Sequence, residues 1–392
     1  MKESFKKSIE NARIVALGEN SHFIKEFFVL RKEIVEFLVE ECGFGVLAFE
    51  FGFSEGLEID KWIKGQGDEG DIKKHLLHFY YPKEWEDTLL WLRKYNKASR
   101  KKVDFLGVDL PRNGGSYFPS LKIVHKFIKK YDESAAFLSE RAFALASKLD
   151  GYSTAQAALA LQNIRVEVRN ELTTLLTRLL IRLEIMQPQI TQKTSEERFN
   201  IALLHLKSIF YTDYNIQAMA GFIGGFGLSG DMGAKDKFMA DVVKARIKEA
   251  QKMILIAHNA HIQKEPAFYK SFLSCVTMGQ RLAQSFGDGY RAYAISCESG
   301  FTAALYPDES QKFGFRVDNY KLRPSVKGTI EFWLKEAGIK QGFVDFADIE
   351  AKILPNKIRF DSMHLKTDMK KAFDGIFILP KSTVSEVVTK NG

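Results

Sequence analysis

Residues 13–52, RIVALGENSHFIKEFFVLRKEIVEFLVEECGFGVLAFEFG, place a helical pattern between two short apolar runs. From Phe23 to Leu38, apolar residues recur at spacings of three, four and one, which is typical of a helix with one buried face. The flanking runs Arg13–Leu17 and Phe44–Phe51 are continuous and apolar, as expected of buried strands. Strand, helix and strand within about forty residues form a βαβ unit, so the two strands should run parallel.

The rest of the chain extends this pattern and then interrupts it. Further strands are predicted by the apolar runs Val103–Val108, Met253–Ala257, Tyr290–Ser296 and Gly375–Leu379. Residues 116–220 contain almost no strand signal and are rich in helix-forming residues such as those of Ala155–Met186. We predict an α/β fold with a central, mostly parallel sheet flanked by helices. Residues 1–115 and 234–392 would form this core, residues 116–233 would form a helical insertion, and the glycine-rich Gly221–Gly233 would be a mobile loop.

Composition and charge indicate a globular protein but do not identify a binding partner. The chain is 45% hydrophobic and 27% charged, as in soluble globular proteins, and its net charge is +8. Its 57 basic residues are interleaved with 49 acidic ones, so we expect no nucleic-acid-binding surface. Met1–Glu10 lacks the apolar stretch of a secretory signal, and no apolar run is long enough for a membrane helix. Three cysteines without paired spacing predict no disulfide framework, so we expect a cytoplasmic protein. The oligomeric state is left undetermined by these features.

Ionisable residues stand at the carboxyl ends of four predicted strands. In parallel α/β sheets, this edge is where ligands bind. Unpaired charges are costly to bury, so packing alone does not explain why apolar strands end in such residues. The sequence therefore predicts one polar site at this edge, built from Glu19, His22, Glu50, Asp109, His258 and His261.

These residue types are those of acid–base catalysis. A neutral histidine beside a carboxylate acts as a general base, because the carboxylate fixes the tautomer and stabilises the imidazolium that forms. A second histidine could donate a proton, and a cation could stabilise an oxyanion. Arg31, nine residues after His22 in the predicted helix, is a candidate for that cation, and Asn259 is a candidate substrate contact.

Two other kinds of site fit the same residues. Glu19 with His22, and His258 with His261, have the i, i+3 spacing of metal ligands in helical bundles, although no H-E-x-x-H pattern is present. We expect no cofactor, but this donor set leaves a divalent metal open.

A serine nucleophile is the third possibility. Gly52–Gly56 reads G-x-S-x-G, the motif of the nucleophile elbow, with Ser54 at its centre. Asp109 and either His258 or His261 follow Ser54 in the order that an α/β-hydrolase triad requires. The residues alone leave the serine and the histidine mechanisms open.

The arrangement around the first strand resembles the erythromycin esterases. Members of that family have a G-E-x-x-H turn, an arginine nine residues later and a strand that ends in Glu 28 residues after the histidine. The corresponding residues here are Glu19, His22, Arg31 and Glu50. Further blocks resemble the family in order, namely Phe105–Pro111, Asp236–Val243, Leu255–Lys264, Thr277–Ser296 and Lys371–Pro380. Lys235 stands where relatives often have arginine.

The resemblance implies an esterase that opens the lactone of 14-membered macrolide antibiotics and so confers resistance. His22 would activate water, Glu19 and Glu50 would orient or polarise it, and His258, His261 and Arg31 would complete the acid and electrostatic groups. Neither an acyl-enzyme nor a tightly held metal is implied. The helical insertion would form one side of the substrate cleft, with Asp109, Asn259, Phe118 and Phe226 as candidate substrate contacts. A serine esterase acting through Ser54 on other esters, or a non-catalytic protein that binds small molecules, are the alternatives.

Overall fold

The computed structural model describes residues 2–76, 81–161, 163–269, 273–308, 310–311 and 315–388. Its centre is a sheet formed by β1 Ile14–Leu17, β2 Val46–Gly52, β3 Asp104–Asp109, β4 Met253–Ile256, β5 Tyr290–Pro307, β6 Phe315–Lys321, β7 Gly342–Asp345 and β8 Gly375–Ser382. The strands lie in the order β7-β8-β5-β1-β4-β2-β3, and β6 pairs with the far half of β5. Strands β8, β5, β1, β4, β2 and β3 run parallel, whereas β7 and β6 are antiparallel to their neighbours.

The predicted βαβ unit is confirmed, although its strands are not neighbours. β4 lies between β1 and β2, and Leu255 is in register with Ala16 on one side and Ala48 on the other. All four residues of β1 are fully buried, which explains their continuous apolar character. The helix between the two strands ends at Cys42, and Gly43 takes the left-handed conformation at φ 74° that ends many helices.

Helices cover both faces of the sheet, and those between residues 118 and 224 pack on one another. Their bounds are α1 Lys2–Ser8, α2 Lys25–Cys42, α3 Phe53–Ile63, α4 Ile72–His75, α5 Lys83–Ala98, α6 Phe118–Tyr131, α7 Ala136–Ala146, α8 Thr154–Leu161, α9 Val166–Lys193, α10 Glu196–Gly224, α11 Ala234–Arg246, α12 Asn259–Ile262, α13 Met278–Phe286, α14 Ile330–Glu336 and α15 Met369–Ala372. One apolar cluster packs α1, α2, α3 and α5 on the sheet, and another packs α11, α13 and α14 on it. The mostly parallel sheet flanked by helices is the predicted fold class. No helix in the described part of the chain is both long and apolar enough to cross a membrane.

Helices α6 to α10 surround an apolar cluster of their own. Leu121, Leu176 and Leu206 are among its fully buried members. The predicted helical run Ala155–Met186 is divided between α8 and α9, because Arg165 has extended dihedral angles at the start of α9. The glycine-rich Gly221–Gly233 is also divided. Its first residues complete α10, Gly225 ends that helix with φ 78°, and a 3-10 turn at Asp231–Gly233 leads into α11.

A two-stranded hairpin, residues 357–366, lies outside the main sheet and is called the cleft hairpin below. It pairs Lys357–Phe360 with Met363–Lys366. Two further short pairs join Ala267–Tyr269 to Leu273–Cys275 and Tyr81–Pro82 to Val387–Val388.

Helix α3 packs directly on the backbone of β3, and this contact requires glycine. A Cβ atom added to Gly56 would lie 2.6 Å from the backbone nitrogen and 2.9 Å from the Cα of Gly107. A Cβ on Gly45 meets nothing within 4 Å. We predict that Gly56→Ala lowers the free energy of unfolding by about 1–3 kcal/mol, because backbone atoms must move. Gly45→Ala, the matched control, should leave it almost unchanged in urea denaturation. Equal stability of the two variants would contradict this packing.

Candidate active site

The sheet order brings four functional strand ends to one edge. Because β1, β4, β2 and β3 are consecutive and parallel, the residues that follow them meet there. Helix α11 contributes two further charged side chains, those of Lys235 and Asp236. The residues brought together are Glu19, His22, Arg31, Glu50, Asp109, Lys235, Asp236, His258 and His261.

The first group consists of His22, Glu19 and Arg31. Nδ1 of His22 donates to Oε1 of Glu19 at 2.8 Å, and Arg31 donates to Oε2 at 2.6 Å. Glu19 and Arg31 are buried, whereas the side chain of His22 is 39% exposed. Burial works to lower the pKa of His22, but the hydrogen bond to Glu19 and its charge raise it above the ordinary value. With Nδ1 occupied, Nε2 of His22 is the nitrogen left to exchange a proton with a ligand.

Glu50 is the centre of the second group. Oε2 accepts the backbone N–H of His258 at 2.9 Å, and Oε1 lies 2.9 Å from Nζ of Lys235 and 3.4 Å from Nε2 of His261. Burial works to raise the pKa of Glu50, but Lys235 and His261 hold it well below its usual range. Glu50 is therefore an ionised, orientationally fixed carboxylate at neutral pH.

The two histidines of the HNAH turn have opposite charge states. Burial, reinforced by His22, lowers the pKa of His258 to about 3, so its ring is neutral. Its Nδ1 accepts the backbone N–H of Ala260 at 3.1 Å, which places the ring proton on Nε2. Burial also works to lower the pKa of His261, but the charges of Asp236 and Glu50 raise it to about 10. His261 is therefore an imidazolium at neutral pH.

The cleft hairpin closes one side of this group. The Phe360 ring lies 4.8 Å from the His258 ring, whose centroid is in turn 5.3 Å from that of His22. Asp361 has a left-handed φ of 49°, donates its backbone N–H to Asn20 at 2.7 Å, and carries a charge that raises the pKa of His22. Sequence reasoning missed these two residues. The Asp-Ser pair between the hairpin strands was the only local signal of a turn there.

A cleft of about 760 Å³ opens beside the site. Lys235, Asp236 and His261 form its polar end. Its other walls are largely apolar and come from α10, from the segment around the Ala267–Cys275 pair and from the cleft hairpin, with Met219, Phe222, Phe268, Phe360, Met363 and Leu365 as representatives. Such a mostly apolar cavity with a few convergent polar groups is typical of a small-molecule site.

Four predicted substrate contacts are placed elsewhere or are engaged in other bonds. Asp109 is fully buried and pairs with Lys235 at 3.0 Å. The side-chain amide of Asn259 bonds the backbone of Ile295 through both of its polar atoms. Phe118 packs on another ring, 5.6 Å away in α7, and lines a separate groove, while Phe226 is 75% exposed after α10.

Ser54 lies in a different, buried polar network. Its hydroxyl is 2.7 Å from that of Ser120 and 3.2 Å from Nδ1 of His205, a fully buried ring whose pKa burial lowers to about 3. Ser120 and His205 belong to α6 and α10, so this network joins those two helices to α3. None of the hydrogen bonds of Ser54 between described residues reaches Asp109, His258 or His261. Within the same residues, no three His, Cys, Asp or Glu side chains are arranged to hold a metal ion.

A parallel α/β sheet with paired histidines and carboxylates at its strand ends is an arrangement that can support acid–base chemistry. The family model described as erythromycin esterase matches residues 39–382, so the chain belongs to the erythromycin esterase family. It is 50% identical over 388 residues to erythromycin esterase type II of Escherichia coli, covering 98% of this chain and 93% of that protein. It is 27% identical to erythromycin esterase type I of Escherichia coli over 94% of this chain and 90% of that one. The protein is thus a carboxylic ester hydrolase.

Solved structures agree with the fold. An erythromycin esterase mutant in its open conformation superposes with a TM-score of 0.89 at 25% identity, covering 98% of this chain and 94% of that one. A Bacillus cereus protein gives a TM-score of 0.78 at 21% identity, with coverage of 99% and 93%. A succinoglycan biosynthesis protein gives 0.75 at 20%, with coverage of 98% and 91%. The last two likenesses concern the fold alone.

The opposite charge states of His258 and His261 are directly measurable. In ¹⁵N NMR between pH 5 and 8, we predict that His258 stays neutral with its proton on Nε2 and that His261 stays doubly protonated, because their pKa values are about 3 and about 10. His258→Asn and His261→Asn assign the signals. A midpoint between pH 6 and 7 for either ring would contradict the described hydrogen bonds.

Proposed function

We propose that this protein adds water to the lactone ester of macrolides such as erythromycin, opens the ring and thereby confers resistance. The observation that carries the proposal is the solvent-accessible His22, whose Nδ1 is held by the buried Glu19–Arg31 pair. Because Nδ1 is bonded to Glu19, Nε2 of His22 is the nitrogen that accepts the proton of water. The Glu19 carboxylate stabilises the imidazolium that then forms. The family of the chain supports the substrate class.

The chemical steps follow from these charge states. A water oxygen attacks the lactone carbonyl while its proton passes to Nε2 of His22, and Glu50 orients that water as a fixed acceptor. The carbonyl oxygen becomes an oxyanion, which the Nε2–H of His258 stabilises by a hydrogen bond and the imidazolium of His261 by its charge. The ring C–O bond then breaks, and the imidazolium of His22 returns its proton to the leaving alkoxide. The products are a hydroxyl group and a carboxylate, with one proton released.

The shape of the cleft supports a large and mostly apolar substrate. We assign residues 116–233 to one side of it, because Met219 and Phe222 of α10 and Met232 line the cavity opposite the cleft hairpin. A volume of about 760 Å³ is in the range of cavities that bury drug-sized ligands.

Cys42, Cys275 and Cys297 are all unpaired, which supports a reducing, cytoplasmic setting.

Replacement of His22 tests the proposed base. His22→Asn keeps a polar side chain but removes the basic nitrogen, so we expect hydrolysis to fall by about 100-fold or more, as for general bases. The measurement is the gain of one water in macrolide mass, followed by mass spectrometry in H₂¹⁸O. Unchanged hydrolysis by His22→Asn would exclude this mechanism. Macrolide binding by the unmodified protein without any mass gain would indicate a non-catalytic binding protein.

Ser54 provides the matching test of the serine alternative. Because Ser54 bonds a buried network that joins α3 to the insertion, we expect Ser54→Ala to retain kcat within about threefold and to lose about 1 kcal/mol of stability. Ester hydrolysis should also resist serine-directed organophosphates. Loss of activity in Ser54→Ala with intact folding would favour the serine mechanism instead.

A further inference from the structure

Lys235 lies between two buried carboxylates that come from adjacent strands. Its Nζ is 2.9 Å from Oε1 of Glu50 at the end of β2 and 3.0 Å from Oδ2 of Asp109 at the end of β3. The side chains of Lys235, Glu50 and Asp109 are 20%, 9% and 0% exposed. Asp109 is thus out of reach of a substrate, and its other oxygen accepts the N–H of Leu110 at 2.7 Å.

The direction of the Glu50 carboxylate depends on this lysine. Oε2 is held by the backbone N–H of His258, and Oε1 faces Lys235 at 2.9 Å and His261 at 3.4 Å. Lys235 is therefore the closer of the two cations. Asp109 in turn holds the lysine from the far side, so its ammonium cannot move toward solvent without leaving a buried carboxylate unpaired.

We propose that the Asp109–Lys235 pair is a positioning device that keeps Glu50 ionised and oriented toward the water that His22 activates. Lys235, although it lies at the polar end of the cleft, and the fully buried Asp109 act on the reaction through Glu50. The inference rests on the proposed hydrolysis, and it assigns a function to two residues outside the His22–Glu19–Arg31 group.

Charge balance shows what the lysine prevents. Without it, the carboxylates of Glu50 and Asp109 would face one another in a buried site, and one of them would bind a proton. Burial already raises the pKa of Asp109 even though Lys235 opposes this. The ionisable groups that act on Glu50 come from four other elements, namely Lys235 on α11, His261 after β4, His22 after β1 and Asp109 at the end of β3. Removing Lys235 therefore raises the apparent pKa of the carboxylate pair, and the proton that the pair then binds is shared by Glu50 and Asp109, so Glu50 is no longer held as a fully ionised acceptor.

The first experiment measures kcat and KM for macrolide hydrolysis as a function of pH. Lys235→Met should lower kcat at pH 6 by about 10–100-fold, with little change in KM, and should move the acid limb of the profile to higher pH. Lys235→Arg should keep both the rate and the limb close to those of the unmodified protein, because the charge remains.

A control is offered by Lys264, which is also 20% exposed and pairs at 2.9 Å with Asp374, a carboxylate that is not one of the site residues. Lys264→Met should not move the acid limb, and its cost in stability should be small because Asp374 keeps its pair with Arg291 at 3.0 Å. Unchanged kcat in Lys235→Met would overturn the proposal. A fall in the kcat of Lys235→Met at all pH values without a shift of the acid limb would also overturn the proposal, because a purely structural role of Lys235 gives that result.

A second experiment needs no activity and separates this proposal from the proposed function. In infrared difference spectra at pH 6, Lys235→Met should gain the C=O band of a protonated carboxyl group relative to the unmodified protein. Lys235→Met/Asp109→Asn should lose that band and move the acid limb back, because the like-charge pair is gone. If Lys235→Met alone does not fold, the acid limb of the double variant is the test, and it should lie close to that of the unmodified protein. Absence of the band in a folded Lys235→Met protein would overturn the positioning role. If the variants show the expected band changes but the unmodified protein hydrolyses no macrolide, only the proposed function is overturned.

Discussion

The cost of burying charge governs this site, because every ionised group at the sheet edge needs a partner from another element. Glu19, after β1, reaches into α2 to bond Arg31. Glu50, at the end of β2, bonds groups from α11 and from the turn after β4. An isolated buried carboxylate costs several kcal/mol, so neither is stable until those elements are in place. The site is consequently assembled by the fold as a whole, and its groups are held in one geometry before any ligand enters.

Two histidines three residues apart show how the backbone assigns chemical roles. His258 caps the short helix α12 with Nδ1, and this bond to Ala260 fixes the tautomer of a ring that burial keeps neutral. His261 lies in the same helix but faces Asp236, which is itself held by the backbone N–H of Met278 at 2.8 Å. One ring therefore offers a neutral donor and the other a fixed positive charge. For an oxyanion this combination is more useful than two rings that titrate near neutrality.

Local sequence was sufficient for the six parallel strands, the helix Lys25–Cys42 and the polar strand ends, because these depend on periodicity and on the general geometry of parallel sheets. It did not predict the antiparallel strands β6 and β7. It was insufficient for contacts set by the order of strands in the sheet. β4 enters between β1 and β2 from over 200 residues away, and only that insertion explains how His258 can bond Glu50. The G-x-S-x-G pattern had a packing cause, since Gly56 allows α3 to touch β3. Phe118 and Phe226 were chosen by residue type, and type does not fix the direction of a side chain on an insertion helix.

The charged groups of the site and the apolar walls of the cleft come from different parts of the chain. The charged groups come from strand ends, α2 and α11, and they bond one another. The cleft walls come from α10 and the cleft hairpin, where Phe222 is 51% and Met363 is 63% exposed. Exposed apolar side chains beside a polar floor gain roughly 25 cal/mol for each Å² that an apolar ligand covers. The exposed side chains of Phe222 and Met363 can therefore differ to suit the shape of a ligand, whereas Phe360 of the same hairpin packs on His258 and is tied to the geometry of the site.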